Sequence, residues 1–160
     1  MAFSIESIKR VYEEEELNFS FEPESNLIRF SMNTEASSDV RFIVRIVNAR
    51  TALFTTILPM NIPEKMRSKV SEYINRVNYE LLLGNFQMDF SDGELSYKAV
   101  AAFEEDFGLS DETILRLTYV GFNMFDAYIP AMFSIIYGGK TPLEAFEEAE
   151  KDDEDENDEE

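Results

Sequence analysis

The sequence predicts an α+β fold in which an antiparallel sheet carries helices packed on one face. Three observations support this fold class. Apolar and polar residues alternate through much of residues 17–58, an amphipathic pattern over residues 61–81 leads into an Asp92-Gly93 turn, and a long apolar segment follows Ser110. Taken in chain order, these patterns predict the elements α-β-β-β(-β)-α-β-β-α.

The first third of the chain predicts one short helix and then strands. Residues 3–12 place apolar side chains at helical spacing, with Ser4 as a candidate cap. Period-two alternation is typical of strands that bury one face, and β-branched residues favour strands as well. These signals occur in four segments, at residues 17–21, 28–32, 40–46 and 52–58, and Pro59 is expected to end the last one.

A helix is predicted over residues 61–81. Asn61 is expected to cap it, with Pro63 in the first turn and Glu64 three residues after the cap. Gly84 is expected to provide the chain's exit from this helix, because glycine readily adopts the left-handed backbone conformation found there. The following Asp92-Gly93 predicts a two-residue hairpin turn. That turn would pair Phe90 with Leu95, Met88 with Tyr97 and Phe86 with Ala99.

Two helices are predicted after the hairpin. Ser110 caps a long helix that runs to about Tyr137, and Thr141 caps a short one that runs to about Ala149. Residues 144–160 hold 12 acidic residues and one basic residue, which leaves −8 of the net charge of −19 on residues 1–143. We therefore expect one domain over residues 1–149 and a disordered acidic tail over residues 150–160.

The composition argues against several classes of function. The chain has no His and no Cys, which removes the commonest catalytic and metal-binding side chains, and it has no phosphate-binding glycine loop. The sequence therefore predicts a protein that is not an enzyme and that uses no cofactor and no metal. Its acidic charge disfavours binding to nucleic acid and to anionic membranes.

Residues 117–137 are long enough to span a bilayer, but Asn123, Asp126 and Pro130 interrupt them, so we expect a buried helix. Residues 1–12 lack the pattern of a signal peptide. Together with the absence of Cys, this predicts a cytoplasmic protein.

Short motifs in the middle of the chain resemble the YbjN family of bacterial proteins. The motifs are Ile-Asn-Arg-Val-Asn at residues 74–78, Gly-Asn-Phe at 84–86 and Asp-Gly-Glu-Leu-Ser-Tyr at 92–97. They are similar to that family's Leu-Asn-x-x-Asn helix, Gly-x-Phe strand and Asp-Gly turn, with Ile74 in place of the usual Leu. The resemblance covers roughly residues 2–140 and implies a fold similar to that of type III secretion chaperones. It also implies a regulatory or chaperone-like role.

Two polar groups are candidate sites for partner binding. Arg29, Arg41 and Arg45 share one strand face and could hold an acidic partner or the chain's own tail. Alternatively, they form a solvated face of little energetic consequence. Asn75 and Asn78 lie about one helical turn apart and could bind a partner's backbone, or could satisfy turns of the chain's own sheet.

The long helix is the third candidate, because it is apolar on nearly every side. One side can pack on the sheet, and the rest needs a homodimer partner, a client or another helix of the same chain to cover it. The residues predicted to contact a partner there are Phe122, Met124, Phe125, Met132 and Phe133.

These observations predict a non-enzymatic, chaperone-like or regulatory module that binds a partner polypeptide and forms a homodimer. The alternative is a small-ligand sensor with a pocket between the sheet and the last helix, near Asp126 and Tyr128.

Overall fold

The computed structural model describes residues 2–158. It contains six strands, four α-helices and two short 3-10 turns. The helices are α1 (Ile5–Glu14), α2 (Arg67–Glu80), α3 (Asp111–Ile136) and α4 (Pro142–Asp158). The strands are β1 (Ser20–Glu22), β2 (Leu27–Met32), β3 (Val40–Asn48), β4 (Thr51–Asn61), β5 (Asn85–Met88) and β6 (Glu94–Ala102).

All six strands form one antiparallel sheet in the order β1-β2-β3-β4-β6-β5. Helices α1, α2 and α3 cover one face of this sheet, and α4 packs against α2 and α3. The predicted fold class is confirmed, including the fourth strand that the sequence left open.

Aromatic rings fill the space between the sheet and the helices. Phe42 of β3 is 1% exposed, and its ring lies 5.9 Å from that of Phe122 on α3. Tyr12 of α1 packs edge-on against Phe42 and against Phe30, and its hydroxyl shares a 2.6 Å hydrogen bond with Thr118. Burial raises the pKa of Tyr12. This aromatic layer fixes α1 and α3 on the sheet.

Gly121 lets α3 approach the sheet closely. A Cβ atom at this position would lie 2.0 Å from Oγ1 of Thr56, a buried residue of β4. A side chain there would have to push the helix away from the strand, so the absence of one sets the spacing of the two layers.

The hairpin between β5 and β6 differs from the sequence prediction. Phe86 pairs with Tyr97 and Met88 with Leu95, which is a shift of two residues, and Phe90 lies exposed in the turn. Asp89 causes the longer turn, because its side chain accepts hydrogen bonds from the Ser91 amide and hydroxyl. The shift is even, so every residue of the two strands keeps its predicted face.

The start of α2 also differs from the prediction. Strand β4 continues past Pro59 to Asn61, with an irregular register between Ile57 and Asn61 that accommodates the proline. Asn61 therefore does not cap the helix, and its side-chain amide donates to the Asp92 carbonyl instead. A 3-10 turn at Glu64–Met66 precedes the regular helix.

Helix α4 extends beyond the predicted end near Ala149. It runs through Asp158 and so includes most of residues 150–160, for which the sequence predicted a disordered tail; residues 159 and 160 lie outside the described residues. Its buried residues, Ala145 and Ala149, lie in the first half, between α2 and α3. From residue 151 to residue 156 the helix carries exposed side chains, all but Lys151 acidic.

None of the helices described within residues 2–158 combines the length and apolarity needed to cross a membrane.

Candidate functional site

The face of the sheet opposite the helices is the candidate site, and we call it the outer face. Alternation along each strand places every second residue on this face, away from the aromatic core. The outer face consists of four basic side chains among apolar and small polar ones: Leu27, Arg29, Ser31, Arg41, Ile43, Arg45, Leu53, Thr55, Ile57, Ser96, Lys98 and Val100.

The strand register sets the arginines of the outer face beside apolar side chains and Lys98 beside Thr55 and Asn85. Arg45 lies between Leu27 and Leu53 in a row across three strands. Arg41 pairs with Ile57. The aliphatic stems of the arginines can therefore lie along neighbouring apolar side chains while their charged ends face solvent. Leu53 and Ile57 are only half-buried as a result.

Three of the four bases of the outer face form no ion pair within residues 2–158, although the chain is rich in acidic residues. Arg29 forms an ion pair of 2.9 Å with Glu22 at the edge of the sheet. Within the described residues, Arg41, Arg45 and Lys98 take part in no ion pair. The chain has 33 acidic and 14 basic residues. The separation of these bases from the acidic excess makes the outer face electrostatically distinct.

Two grooves cross the outer face. One has a volume of about 450 Å³ and is lined by residues that include Arg29, Arg41 and Ile57, with Asp39 at its border. The other has a volume of about 190 Å³ and is lined by Leu27, Ile43, Arg45, Leu53 and Thr55. Ile43 borders both grooves, so together they form one continuous surface that extends from β1 at the edge of the sheet to β4.

The two asparagines of the predicted site lie elsewhere. Asn78 is engaged with the chain's own sheet, because its side chain donates to the Phe86 carbonyl at 3.0 Å and accepts from the Phe86 amide at 2.8 Å. These bonds fix the start of β5 against α2. Asn75 is exposed on α2. The structure therefore does not bring the asparagines together with the arginines.

The structure divides the predicted contact residues of α3 into two groups. Phe122, Phe125 and Met132 are at most 4% exposed, so a partner could reach them only if the core opened. Met124 and Phe133 are half-buried. The sequence left open what covers this helix, and the answer for the first group is the sheet and the other helices of the same chain.

Asp126 and Tyr128 make contacts within the chain, and Asp126 also lines a groove of about 320 Å³ between α3 and α4. Asp126 accepts a 2.9 Å hydrogen bond from the Ala36 amide and so anchors the loop before β3. The Tyr128 carbonyl accepts a 2.6 Å bond from the Tyr73 hydroxyl. The rings of Phe86 and Phe125 stack 6.0 Å apart between the sheet and α3, where a ligand pocket was the alternative prediction.

One ionisable pair links α3 to α4. The Tyr128 hydroxyl donates to Oε1 of Glu150 at 3.3 Å. Burial raises the pKa of Glu150, and the charges of Glu80 and Asp153 raise it further, against the lowering effect of the hydrogen bond. Burial also raises the pKa of Tyr128 to about 12. This pair belongs to the helical side and not to the outer face.

Sequence reasoning missed Lys98 on β6 and the apolar partners of the arginines on β4. Alternation alone assigns Lys98, Leu53 and Ile57 to one face of their strands. It does not show that β6 pairs with β4, which is what brings Lys98 onto the same surface as the arginines.

Comparisons with known proteins are consistent with this fold. The family model "YbjN: Putative bacterial sensory transduction regulator" matches residues 4–134. A solved structure described as "Crystal structure of YbjN, a putative transcription regulator from E. coli" matches with a TM-score of 0.52 and 8% identity, over 78% of this chain and 92% of the other. At that identity the similarity bears on the fold alone. No curated protein sequence matches the chain.

Proposed function

Because the chain belongs to the YbjN family, we propose that it is a non-enzymatic regulatory module that binds a partner polypeptide through the outer face of its sheet. The single observation that supports this proposal is the set of unpaired bases beside half-buried apolar side chains on the only broad sheet face that no helix covers within residues 2–158.

Such a surface is suited to a protein partner. An exposed ion pair is typically worth about 0–1 kcal/mol, because water competes for both charges. When a partner covers the surface, apolar side chains such as Ile43 and Ile57 lose contact with water, and charge-assisted hydrogen bonds to Arg41 and Arg45 become stronger. Arginine in a covered patch is accordingly common among the residues that dominate binding energy.

The regulatory part of the proposal follows the family description. A module that recognises another polypeptide can regulate it by masking a surface or by holding it in place, and neither action needs a reactive side chain. The chaperone-like role, the homodimer and the cytoplasmic location remain predictions. Light scattering on the purified chain measures the oligomeric state directly.

Site-specific photo-crosslinking in the native cell tests the proposal. A photoreactive residue at Thr55 samples the centre of the outer face, and one at Lys69 samples an exposed position on α2. We expect a discrete polypeptide adduct from position 55 and none of that size from position 69. Equal adducts from both positions, or none from position 55, would overturn the proposal.

A matched pair of charge reversals sharpens this test. The outer-face reversal variant combines Arg41→Glu with Arg45→Glu. The control reversal variant combines Lys65→Glu with Lys69→Glu, which changes the net charge equally at exposed positions away from the outer face. The adduct at position 55 should disappear in the outer-face reversal variant and persist in the control reversal variant.

A further inference from the structure

We propose that the segment bound by the outer face is an acidic amphipathic helix of the partner, an inference that rests on the proposed function. It would lie along β3 and β4, with its apolar stripe on Ile43, Leu53 and Ile57, and would carry carboxylates on both flanks.

The four bases surround an apolar centre at the spacing of one helix. Arg41 and Arg45 lie on β3 with Ile43 between them, so their Cα atoms are about 13 Å apart at ~3.3 Å per residue. Arg29 and Lys98 lie in one row on opposite sides of Ile43 and Thr55. Three strand spacings separate them, which is about 14 Å.

A helix with its side chains is about 10–12 Å in diameter. Placed over Ile43 and Thr55 along the strand direction, it would leave Arg29 on one flank and Lys98 on the other. Arg41 and Arg45 would lie along its length. Glutamates on the two flanks of the apolar stripe could therefore reach bases on both sides at once, and each such pair would be partly shielded from water.

Backbone hydrogen bonding favours a helix over an extended segment. Strands β2, β3, β4 and β6 each have a neighbour on both sides, so the middle of the sheet offers no free backbone groups to a visiting strand. A helix satisfies its own backbone and needs only side-chain contacts. Addition of a strand at a sheet edge would meet β1, with three residues, or β5, with four, and both are short templates.

Nucleic acid and the acidic α4 of a second copy are the two other negatively charged candidates for the outer face, and both are less suited to it than an acidic helix of a partner. The chain has a net charge of −19. It would therefore repel a nucleic acid at many phosphates along the length of that polyanion. The acidic α4 of a second copy is engaged already, because Ala145 and Ala149 are buried against its own body. Binding in trans would require that α4 first leave that position.

Designed peptides test the inference. The probe is an 18-residue amphipathic helix with a stripe of Leu and Ile flanked by Glu, labelled for fluorescence anisotropy. One comparison peptide has the same composition in an order that breaks the stripe, and another has Lys in place of each Glu. We expect the probe to bind the full chain at least about tenfold more tightly than either comparison peptide. Amide resonances of β3 and β4 should shift on binding.

The same charge-reversal variants supply the controls. The outer-face reversal variant should bind the probe about tenfold more weakly, and the control reversal variant within about twofold of the parent chain. Circular dichroism and Tm establish that both variants are folded. Should the outer-face reversal variant lose its fold, Thr55→Arg provides a second test, because a long side chain at the centre blocks the helix and leaves the four bases in place.

Several results would overturn the inference. Equal binding of the probe and the stripe-broken peptide would show charge attraction without helix recognition. Tighter binding of a single-stranded oligonucleotide than of the probe would assign the outer face to nucleic acid. Concentration-dependent self-association that disappears when residues 153–160 are removed would assign it to α4 of a second copy.

The peptide test and the crosslinking test fail independently. A polypeptide adduct at position 55 without probe binding would retain the proposed function and reject the helical, acidic partner. Absence of both would reject the function and the inference together.

Discussion

The two faces of the sheet are built from the same strands, yet they differ in almost every chemical respect. On β3, Phe42 is 1% exposed and contacts rings of α1, α3 and the neighbouring strands. Its neighbour Ile43 faces the other way and borders both grooves of the outer face. A single step along the chain thus separates a residue that holds the fold together from one that is available for binding.

The difference shows how this chain divides its apolar and charged residues. The inner face uses aromatic side chains, which bury large areas and fill the space under three helices. The outer face uses shorter aliphatic side chains beside bases, which remain compatible with water when the chain is alone. Stability should therefore depend steeply on the inner face and weakly on the outer face.

The largest effect is expected from Phe42→Ala. Loss of a fully buried ring that contacts Tyr12 and Phe122 should lower the free energy of unfolding by about 3–5 kcal/mol. The matched change on the other face, Ile43→Ala, should cost about 1 kcal/mol or less. Urea denaturation of the two variants measures both values. Losses of similar size would contradict the proposed division between the faces.

Gly121→Ala is expected to cost about 1–3 kcal/mol, because the new Cβ would overlap Oγ1 of Thr56 and force α3 away from β4. Adding Thr56→Ala to this variant removes the overlapping oxygen and should recover part of the loss, a coupling that a double-mutant cycle measures. Strict additivity of the two changes would mean that helix and strand do not meet as closely as described.

Glu150→Gln should give a small rise in Tm at pH 7, about 1–2 °C. The pKa of Glu150 is raised in the folded chain, so the folded state is favoured when the group is protonated and loses that advantage as the pH rises through the raised value. The glutamine variant should therefore gain most at neutral pH, and the gain should vanish as the pH falls. Glu147→Gln, at an exposed position of α4, is the control, and an equal gain there would point to a general charge effect.

The smallest effect is expected from removal of residues 153–160. The buried residues of α4, Ala145 and Ala149, both precede this cut, so Tm should change by about 1 °C or less. Solubility should fall because acidic residues are lost. The amide resonances of the outer face should not move, since α4 packs on α2 and α3. Movement of those resonances would show that the acidic segment reaches the bases.

Much of the fold could be predicted because each element carries its own local signal. Ser110 caps α3, its hydroxyl accepting from the Thr113 amide as the sequence indicates. The hairpin register could not be obtained in this way. It depends on the side chain of Asp89 and on the contact between the Gly93 carbonyl and the Ile62 amide, which joins residues 31 positions apart.

The candidate site was predicted in part. The arginines were found because alternation on β2 and β3 assigns them to one face. The sequence assigned three residues of α3 to a partner, namely Phe122, Phe125 and Met132. An apolar helix predicts that its surface is buried, but it does not predict whether a partner or the same chain buries it. In the folded chain this burial is intramolecular, since the rings of Phe30 and Phe42 already occupy the other side of Phe122.

The sequence by itself determined which residues share a face, because side chains repeat every two residues in a strand and every 3.6 in a helix whatever lies next to them. Only the tertiary structure decided which strands are neighbours and which face remains open. Placing β6 between β4 and β5 brings Lys98 onto the surface that carries Arg29, Arg41 and Arg45. That arrangement depends on contacts between segments far apart in the chain, which no local pattern encodes.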